Sequence, residues 1–311
     1  MTNKSVRIVS LIPSGTEILA TLGLTDEIIG RSHECDYPPE IQNRPICTQA
    51  RLSSHDSSRK IHDDVNDLIQ SALSIYQIKT DILEKLQPTH IITQDQCDVC
   101  AVSLEDVEQA VANLVHSSPQ IISLKPNLLE DVWQDIERVG NIFGVDSVHV
   151  LENLAARVTI CQRKLQGLSL TELPTVACIE WTDPLMTAAN WIPELVNLAG
   201  GQSKFSITGQ PSTCIPWETL LQSNPDIIIF MPCGFDLNRT RQEANLFTQR
   251  PDWQKLHAVH SGRVYITDGN AFFNRPGPRL ADSLEILAEI LHPEIFDYGY
   301  KGTGWDTIAK C

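Results

Sequence analysis

The stretch that decides the fold reads Arg7-Ile-Val-Ser-Leu-Ile-Pro-Ser-Gly-Thr-Glu-Ile-Leu-Ala-Thr-Leu-Gly-Leu24. A short apolar run ends at Pro13, and apolar residues then recur at helical spacing, which predicts a strand, a tight turn and a helix. Ser14 and Glu17 have the spacing of a capping box, so Ser14 is predicted to be the helix N-cap. A strand followed at once by a helix is typical of parallel sheets covered by helices.

The same alternation continues on both sides of one long helical segment. Strand-like runs precede it at 27–30, 90–93 and 120–124, and others follow it at 175–179, 226–231 and 263–267. A further helix is predicted after the last of these runs, at 280–291. The helical segment, residues 147–167, would be about 30 Å long. We therefore predict an α/β protein with two Rossmann-like lobes, each built on a central, mostly parallel sheet, joined by a single long helix. The predicted division is an N-terminal lobe at 1–145, an interlobe helix at 146–168, a C-terminal lobe at 169–296 and a tail without clear periodicity at 297–311.

Composition limits the classes of function. The chain has 311 residues, 42% of them hydrophobic and 20% charged, which suits a globular protein with a sizeable core. A formal charge of −15 repels phosphate backbones and anionic surfaces, so nucleic-acid binding is not expected. No run of 18 apolar residues predicts a membrane helix, and the first residues show no signal-peptide pattern, so the expected location is the cytoplasm.

Nine cysteines are spread through a chain that is too large to need disulfide staples, and a reducing compartment would keep them as thiols. Cys161 and Cys178 lie in apolar helix and strand patterns and are predicted to be small buried hydrophobic residues. Cys97 and Cys100 form a single C-x-x-C pair, which occurs in zinc sites, redox pairs and cluster sites and also by chance among buried thiols. The pair is kept as a candidate metal site.

Several stretches of the chain resemble one family in particular. They are residues 7–24, Ile28-Ile-Gly-Arg-Ser-His-Glu-Cys-Asp-Tyr-Pro38, Trp191-Ile-Pro-Glu-Leu-Val-Asn-Leu-Ala-Gly-Gly201 and Phe273-Asn-Arg-Pro-Gly-Pro-Arg-Leu280. They resemble the class III solute-binding proteins of ABC transporters, which bind vitamin B12 and iron siderophores, and most of all the cobalamin-binding branch whose members often lack export signals. The resemblance implies two lobes joined by a rigid helix, a small-molecule ligand between them and docking on an ABC permease through exposed carboxylates. The segment around Glu218 resembles the region of the second lobe that supplies such a carboxylate in the family.

The expected ligand is a cobalamin-like corrinoid, another tetrapyrrole or a metal chelate, and the sequence leaves the identity of any cofactor open. Ligands of open α/β sheets lie beyond the carboxyl ends of the strands, so the binding residues are sought there. Aromatic rings would cover a planar ligand, and a guanidinium group would hold a polar edge. The candidate ligand-binding residues are Ser14, Glu34, Cys35, Tyr37, Cys97, Trp181, Trp191, Cys233, Asn274 and Arg275.

A second class of function stays open from the sequence. The chain has no phosphate-binding loop, dinucleotide fingerprint, nucleophile elbow or H-E-x-x-H motif. Cysteines at several strand ends, with Glu34, Asp36 and Asp95 close by in sequence, are nevertheless the residue types of a metal- or thiol-dependent enzyme on the same scaffold. The two hypotheses differ in whether Cys35, Cys97, Cys100 and Cys233 converge on a metal.

Overall fold

A computed structural model describes residues 5–53, 56–71, 75–96, 102–167 and 173–308. The chain falls into two compact units. The first unit comprises Met1–Pro126 and Asp131–Leu151, and the second comprises Asn127–Glu130 and Glu152–Cys311. The domain boundaries predicted at residues 145 and 168 stay a prediction.

A parallel sheet of four strands forms the centre of the first unit. Its strands are β1 (Ile8–Ser10), β2 (Ile28–Arg31), β5 (His90–Gln94) and β6 (Gln120–Leu124), in the order β2-β1-β5-β6. The strands are short and most of their residues are buried, as expected where helices cover both faces of a parallel sheet. Two further strands, β3 (Thr48–Ala50) and β4 (Tyr76–Ile78), form a separate antiparallel pair that the sequence did not predict.

Helices surround this sheet and bury its apolar side chains. On one face Val9, Leu11 and Ile91 pack with Leu83 and Val107 of the covering helices. The helices that begin in the first part of the chain are α1 (Pro13–Thr21), α2 (Ser58–Gln70), α3 (Thr80–Leu86), α4 (Leu104–Ala112), α5 (Leu129–Phe143) and α6 (Val148–Lys164).

Helix α1 begins two residues earlier than predicted. Pro13 is its first residue and Ile12 its N-cap, so Ser14 lies inside the first turn and the predicted capping box is wrong. The physical reason is that proline has a fixed φ close to the helical value and lacks the N–H that a helix start leaves unpaired, which makes it a favoured first residue.

The second unit is built on a mixed sheet of seven strands. Strands β7, β11 and β12 are parallel neighbours at its centre, β8 and β13 flank them in antiparallel pairing, and β9 pairs with the beginning of β7. The bounds are β7 (Thr175–Thr182), β8 (Leu185–Thr187), β9 (Gln202–Ser203), β10 (Thr213–Cys214), β11 (Ile227–Phe230), β12 (Val264–Thr267) and β13 (Trp305–Thr307). With helices between parallel strands in both units, the predicted α/β fold class is confirmed.

Five α-helices follow one another along the second unit. They are α7 (Ile192–Leu198), α8 (Trp217–Ser223), α9 (Leu237–Phe247), α10 (His257–His260) and α11 (Leu280–Leu291), and a π-helical turn covers Gly269–Phe273. Helix α11 has the predicted bounds and is buried along nearly its whole length. Cys161 and Cys178 are buried as predicted, and burial raises the pKa of each thiol to about 12.

The segment after residue 296 has more regular structure than its sequence suggested. Its strand β13 pairs with β12, and Glu289 of α11 holds the preceding turn. The Glu289 carboxylate accepts bonds from the N–H groups of Tyr298 and Gly299 and from the indole Nε1 of Trp305, the last at 2.7 Å. Long-range hydrogen bonds, rather than local periodicity, therefore order this segment.

Candidate functional site

Each unit has one place where the connections between parallel strands change direction along the sheet. In the first unit the chain runs from β1 outward to β2 on one side and from β5 to β6 on the other, so the change lies between β1 and β5. In the second unit it lies between β7 and β11, because β8 and β9 are on one side of β7 and β12 is beyond β11. The carboxyl ends of strands at such points are where open α/β sheets bind ligands.

Cys35 lies beside the first turn of α1 at the carboxyl edge of the first sheet. The Thr16 hydroxyl is 3.0 Å from Cys35 Sγ and 2.8 Å from Ser10 Oγ, and Arg31 Nη1 donates to the carbonyl oxygen of Cys35 at 2.9 Å. Cys35, Ser10 and Thr16 are all fully buried. The thiol is thus fixed in a buried polar cluster next to the helix start where Ser14 lies.

His33 and Glu34 occupy the turn that follows β2. The ring Nδ1 of His33 is 2.7 Å from Thr48 Oγ1, and its Nε2 is 3.2 Å from a carboxylate oxygen of Glu34. Tyr76 packs on the His33 ring with centroids 5.3 Å apart. Tyr37, two residues beyond Cys35, is 46% exposed, so its ring offers an accessible aromatic surface.

Cys97 and Cys100 lie outside the described residues, and the metal site predicted for them stays a prediction. The described part of the loop before them ends at Gln96, where Asp95 pairs with Lys125 at 2.9 Å. Among the residues that the structure describes, no group of three or more His, Cys, Asp or Glu side chains is arranged to hold a metal ion.

An aromatic pair marks the carboxyl ends of β7 and β11 in the second unit. Trp181 is the penultimate residue of β7, and Phe235 lies in the loop after β11; their ring centroids are 5.4 Å apart. The Arg239 guanidinium lies over the Phe235 ring, 4.8 Å from its centroid. The first contact joins β7 to the loop after β11, and the second joins that loop to helix α9.

Buried polar contacts hold this pair in place. Arg239 Nη2 is 3.2 Å from Glu243 Oε1, and the Thr182 hydroxyl donates to Glu243 Oε2 at 3.0 Å. Because Thr182 follows Trp181 directly, the contacts form a closed ring from Trp181 through Phe235, Arg239 and Glu243 back to β7. The sequence prediction included Trp181 but missed Phe235, Arg239 and Glu243. Phe235 could have been predicted, because it lies two residues after Cys233 in the same loop at a strand end.

Asn274 and Arg275 directly follow the π-helical turn after β12. The Asn274 side chain donates to the carbonyl oxygens of Met231 and Gly269, at 3.1 and 2.9 Å. Arg275 is 5% exposed and donates to Asn270 Oδ1 at 3.0 Å. The turn therefore rests against the loop after β11, and the two predicted residues lie at the same edge of the sheet as Trp181.

Trp191 supports the same turn from inside the unit. It is 5% exposed, and its indole Nε1 donates to the carbonyl oxygen of Phe273 at 2.9 Å. Its ring is a packing element of the unit, which leaves Trp181 as the tryptophan with accessible surface at this edge.

Cys233 and Glu180 are joined through the backbone. The N–H of Cys233 donates to the carbonyl oxygen of Glu180 at 3.3 Å, and the Cys233 side chain is partly exposed. Burial raises the pKa of the Glu180 carboxyl, although the Ser212 hydroxyl, 2.5 Å away, and the N–H of Ala189 act in the opposite direction. Glu180 is thus an acid suited to be neutral more often than an ordinary glutamate, at the end of a central strand.

Glu218 is exposed in the first turn of α8, as a docking carboxylate must be. Among the described helices, none has the length and apolar composition needed to cross a bilayer.

The comparisons with known proteins agree with this geometry. Residues 8–271 match the model of a periplasmic binding protein family, and the chain belongs to that family. It is 23% identical to an uncharacterized ABC transporter substrate-binding lipoprotein of Bacillus subtilis, over 93% of this chain and 81% of that protein. It is 22% identical to the vitamin B12-binding protein of Vibrio parahaemolyticus, over 93% of this chain and 90% of that protein.

Solved structures show the same fold. A periplasmic heme-binding protein of Roseiflexus sp. RS-1 superposes with a TM-score of 0.69 at 20% identity, covering 93% of this chain and 98% of that one. A possible iron-binding, periplasmic solute-binding protein of Staphylococcus epidermidis superposes with a TM-score of 0.70 at 18% identity, covering 93% of this chain and 100% of that one. The predicted resemblance to class III solute-binding proteins is confirmed.

Proposed function

We propose that this protein binds a planar, metal-containing ligand, a cobalamin-like corrinoid, another tetrapyrrole or a metal chelate, as a solute-binding protein of the ABC-transporter type. Family membership supports binding as the function, and the relatives named for vitamin B12 and heme support the class of ligand. The observation that carries the proposal is the pair Trp181–Phe235, held by buried polar contacts at the carboxyl ends of β7 and β11. A fixed aromatic surface beside donors is suited to a ring with polar edges.

The roles of individual residues follow from their positions. Trp181 would contact the face of the ligand, and Arg275 and Asn274 would hold a polar edge from the neighbouring turn. Cys233, in the loop after β11, lies between them in the order of the strands, and Glu180 is the neighbour of Trp181 on β7. Ser14, Glu34, Cys35 and Tyr37 of the first unit, together with Cys97 and Trp191, complete the set predicted from the sequence.

Titration of the purified protein tests the ligand class. The visible spectrum and metal content are recorded first, and cyanocobalamin, haemin and a ferric siderophore are then added separately while tryptophan fluorescence is followed. A ligand present at about 100 times its Kd should stabilise the fold by about 2.7 kcal/mol, which a thermal unfolding experiment measures. A protein free of chromophore and metal that responds to none of the three ligands would contradict the proposal.

Substitutions separate stacking from general stability. Trp181→Ala should weaken binding of the responding ligand by about tenfold or more, because an aromatic contact and its buried area are lost. Trp217→Phe is the matched control, since Trp217 packs on Trp253 and Phe247 in an aromatic cluster of the same unit. Equal affinities of the two variants would remove Trp181 from the site.

An ABC permease is the proposed partner, with Glu218 as a docking carboxylate. Glu218→Lys should leave ligand affinity unchanged and reduce ligand-stimulated ATP hydrolysis by the reconstituted permease. The cytoplasmic location expected from the sequence stays a prediction, which cell fractionation checks. No finding favours the alternative of a metal- or thiol-dependent enzyme, because the family and the named relatives are binding proteins.

A further inference from the structure

The start of helix α1 has backbone donors without acceptors. Pro13, the first residue, has no N–H, and the first N–H to be bonded is that of Thr16, which donates to the carbonyl oxygen of Ile12 at 3.1 Å. Ile12 is the N-cap and has no side chain that accepts a hydrogen bond. Within the described residues, the N–H groups of Ser14 and Gly15 therefore have no acceptor. Helix starts usually satisfy such groups through a capping side chain or an external partner.

The hydroxyl of Ser14 is a third donor at the same place. Ser14 is 1% exposed, and its Oγ has no hydrogen-bond partner. Because the Cα–Cβ bond of a helical residue tilts toward the helix N-terminus, this hydroxyl is directed at the end of the helix where the two N–H groups are free. The neighbouring buried hydroxyls of Ser10 and Thr16 are both bonded, whereas that of Ser14 is not.

Three donors at this helix start have no partner among the described residues and are therefore available to an acceptor on a ligand. Polar groups that are removed from water without a partner destabilise a fold, and nearly all buried groups in proteins are therefore bonded. The helix start also lies beside the point between β1 and β5 where the sheet connections change direction, the position at which such sheets bind ligands.

We infer that the first turn of α1 binds an acceptor oxygen of the ligand through the Ser14 hydroxyl and the N–H groups of Ser14 and Gly15. The inference rests on the proposed function and specifies which chemical group of the ligand is recognised in the first unit. A carboxylate and an amide carbonyl both supply such an oxygen. The helix dipole favours the carboxylate, whereas Glu17, buried on the next turn with partners of its own, opposes a second negative charge.

Unfolding of the ligand-free protein gives the first test. Ser14→Ala removes an unpaired hydroxyl, so its midpoint of thermal unfolding should equal or exceed that of the wild type. Ser10→Ala is the matched control: it removes a buried hydroxyl that has partners, and its midpoint should fall. A clear fall for Ser14→Ala would show that the hydroxyl is already satisfied, for example by a buried water molecule, and would overturn the inference.

Binding gives the second test, and its two arms distinguish the sources of the oxygen. Haemin carries carboxylates and cyanocobalamin carries amide carbonyls, so the affinity of each is measured with the wild type and with Ser14→Ala. The variant should bind the responding macrocycle about tenfold more weakly, the usual effect of losing one hydrogen bond in a site. An unchanged affinity would overturn the inference and leave the proposed function intact.

A third measurement does not depend on either macrocycle. Sodium acetate and acetamide are added to the wild type and to Ser14→Ala, with sodium chloride at matched ionic strength as the control. A saturable rise in the unfolding midpoint of the wild type, absent in the variant, supports the helix start as an acceptor site even if the macrocycles fail to bind. Identical responses of the two proteins would overturn the inference whatever the natural ligand is.

Discussion

At the scale of single residues, the carboxyl edge of the second sheet depends on side chains whose chemistry their surroundings have changed. Glu180 ends the buried part of β7, where desolvation outweighs the two hydrogen bonds that favour its charged form. A carboxyl group whose folded-state pKa is raised binds a proton more tightly in the native than in the unfolded protein. Its contribution to stability is therefore largest at low pH and decreases as the pH rises above the unfolded pKa.

We predict that Glu180→Gln flattens the dependence of stability on pH. As the pH increases from the ordinary glutamate pKa of 4.5, the unfolding free energy of the wild type should fall relative to that of the variant. The reason is that the unfolded wild type releases the proton of Glu180 at such pH values, whereas the folded wild type must either retain that proton or bury a charged carboxylate. Urea unfolding at several pH values between about 5 and 8 measures the difference. Ser212→Ala should steepen the wild-type dependence, since it removes a donor that lowers the pKa; parallel curves for all three proteins would refute this account.

At the scale of elements, the site depends on two turns that press against each other. The turn after β12 begins at Gly269, whose added Cβ would overlap the carbonyl oxygen of Pro232 and stand 2.7 Å from the carbonyl carbon of Met231. These are backbone atoms of the loop after β11, which cannot move aside as a flexible side chain can. Glycine is required here by close approach of two backbones.

Gly269→Ala is therefore expected to destabilise the protein by about 2–3 kcal/mol and to weaken ligand binding through the displaced Asn274 and Arg275. Gly234→Ala serves as the control from the same edge: its φ is +76°, but nothing lies within 4 Å of the added Cβ, so only about 1 kcal/mol of backbone strain is expected. Chemical unfolding compares the two variants. Equal losses would mean that the contact with Pro232 relaxes easily.

The C-terminal segment provides a second test at this scale. Glu289 is 4% exposed and accepts bonds from Gly299 at 2.6 Å and from Trp305 at 2.7 Å. Glu289→Ala should cost about 3 kcal/mol, because buried donors lose a charged acceptor, and it should speed hydrogen exchange in β13. Glu294→Ala, at a residue whose side chain is 67% exposed, should change stability by less than about 0.5 kcal/mol. If the two variants are equally stable, the segment is held by its apolar contacts instead.

At the scale of the whole molecule, the formal charge of −15 is the dominant electrostatic property. The excess carboxylates repel one another in the folded protein, and dissolved ions screen this repulsion. The midpoint of thermal unfolding should therefore rise as sodium chloride is increased from about 20 to 200 mM, a range over which the screening length falls from above to below about 10 Å. Potassium chloride should have the same effect; a falling midpoint would show that the ion pairs of the fold outweigh the general repulsion.

The sequence by itself determined the elements whose apolar pattern is local. Helix α11 and the strands β6 and β12 could be placed to within a residue, because a buried strand needs a short apolar run and a buried helix needs apolar residues all round. The rule that ligands bind beyond strand ends also selected Trp181, Cys233, Asn274 and Arg275, which the structure brings to one edge of one sheet. Local periodicity and chain order suffice for conclusions of this kind.

Only the tertiary structure decided which side chains meet. Strand β13 and the pair β3–β4 have little pattern of their own and are fixed by partners far away in sequence. The fold brings the loop after β11 and helix α9 against Thr182. Only for this reason can Phe235, Arg239 and Glu243 be recognised as one set of contacting residues. Likewise, Ser14 has the right spacing for a cap, and Pro13 moved the helix start so that its hydroxyl was left unpaired. A spacing states which bonds are available; the hydrogen bonds that form depend on the competing partners that folding supplies.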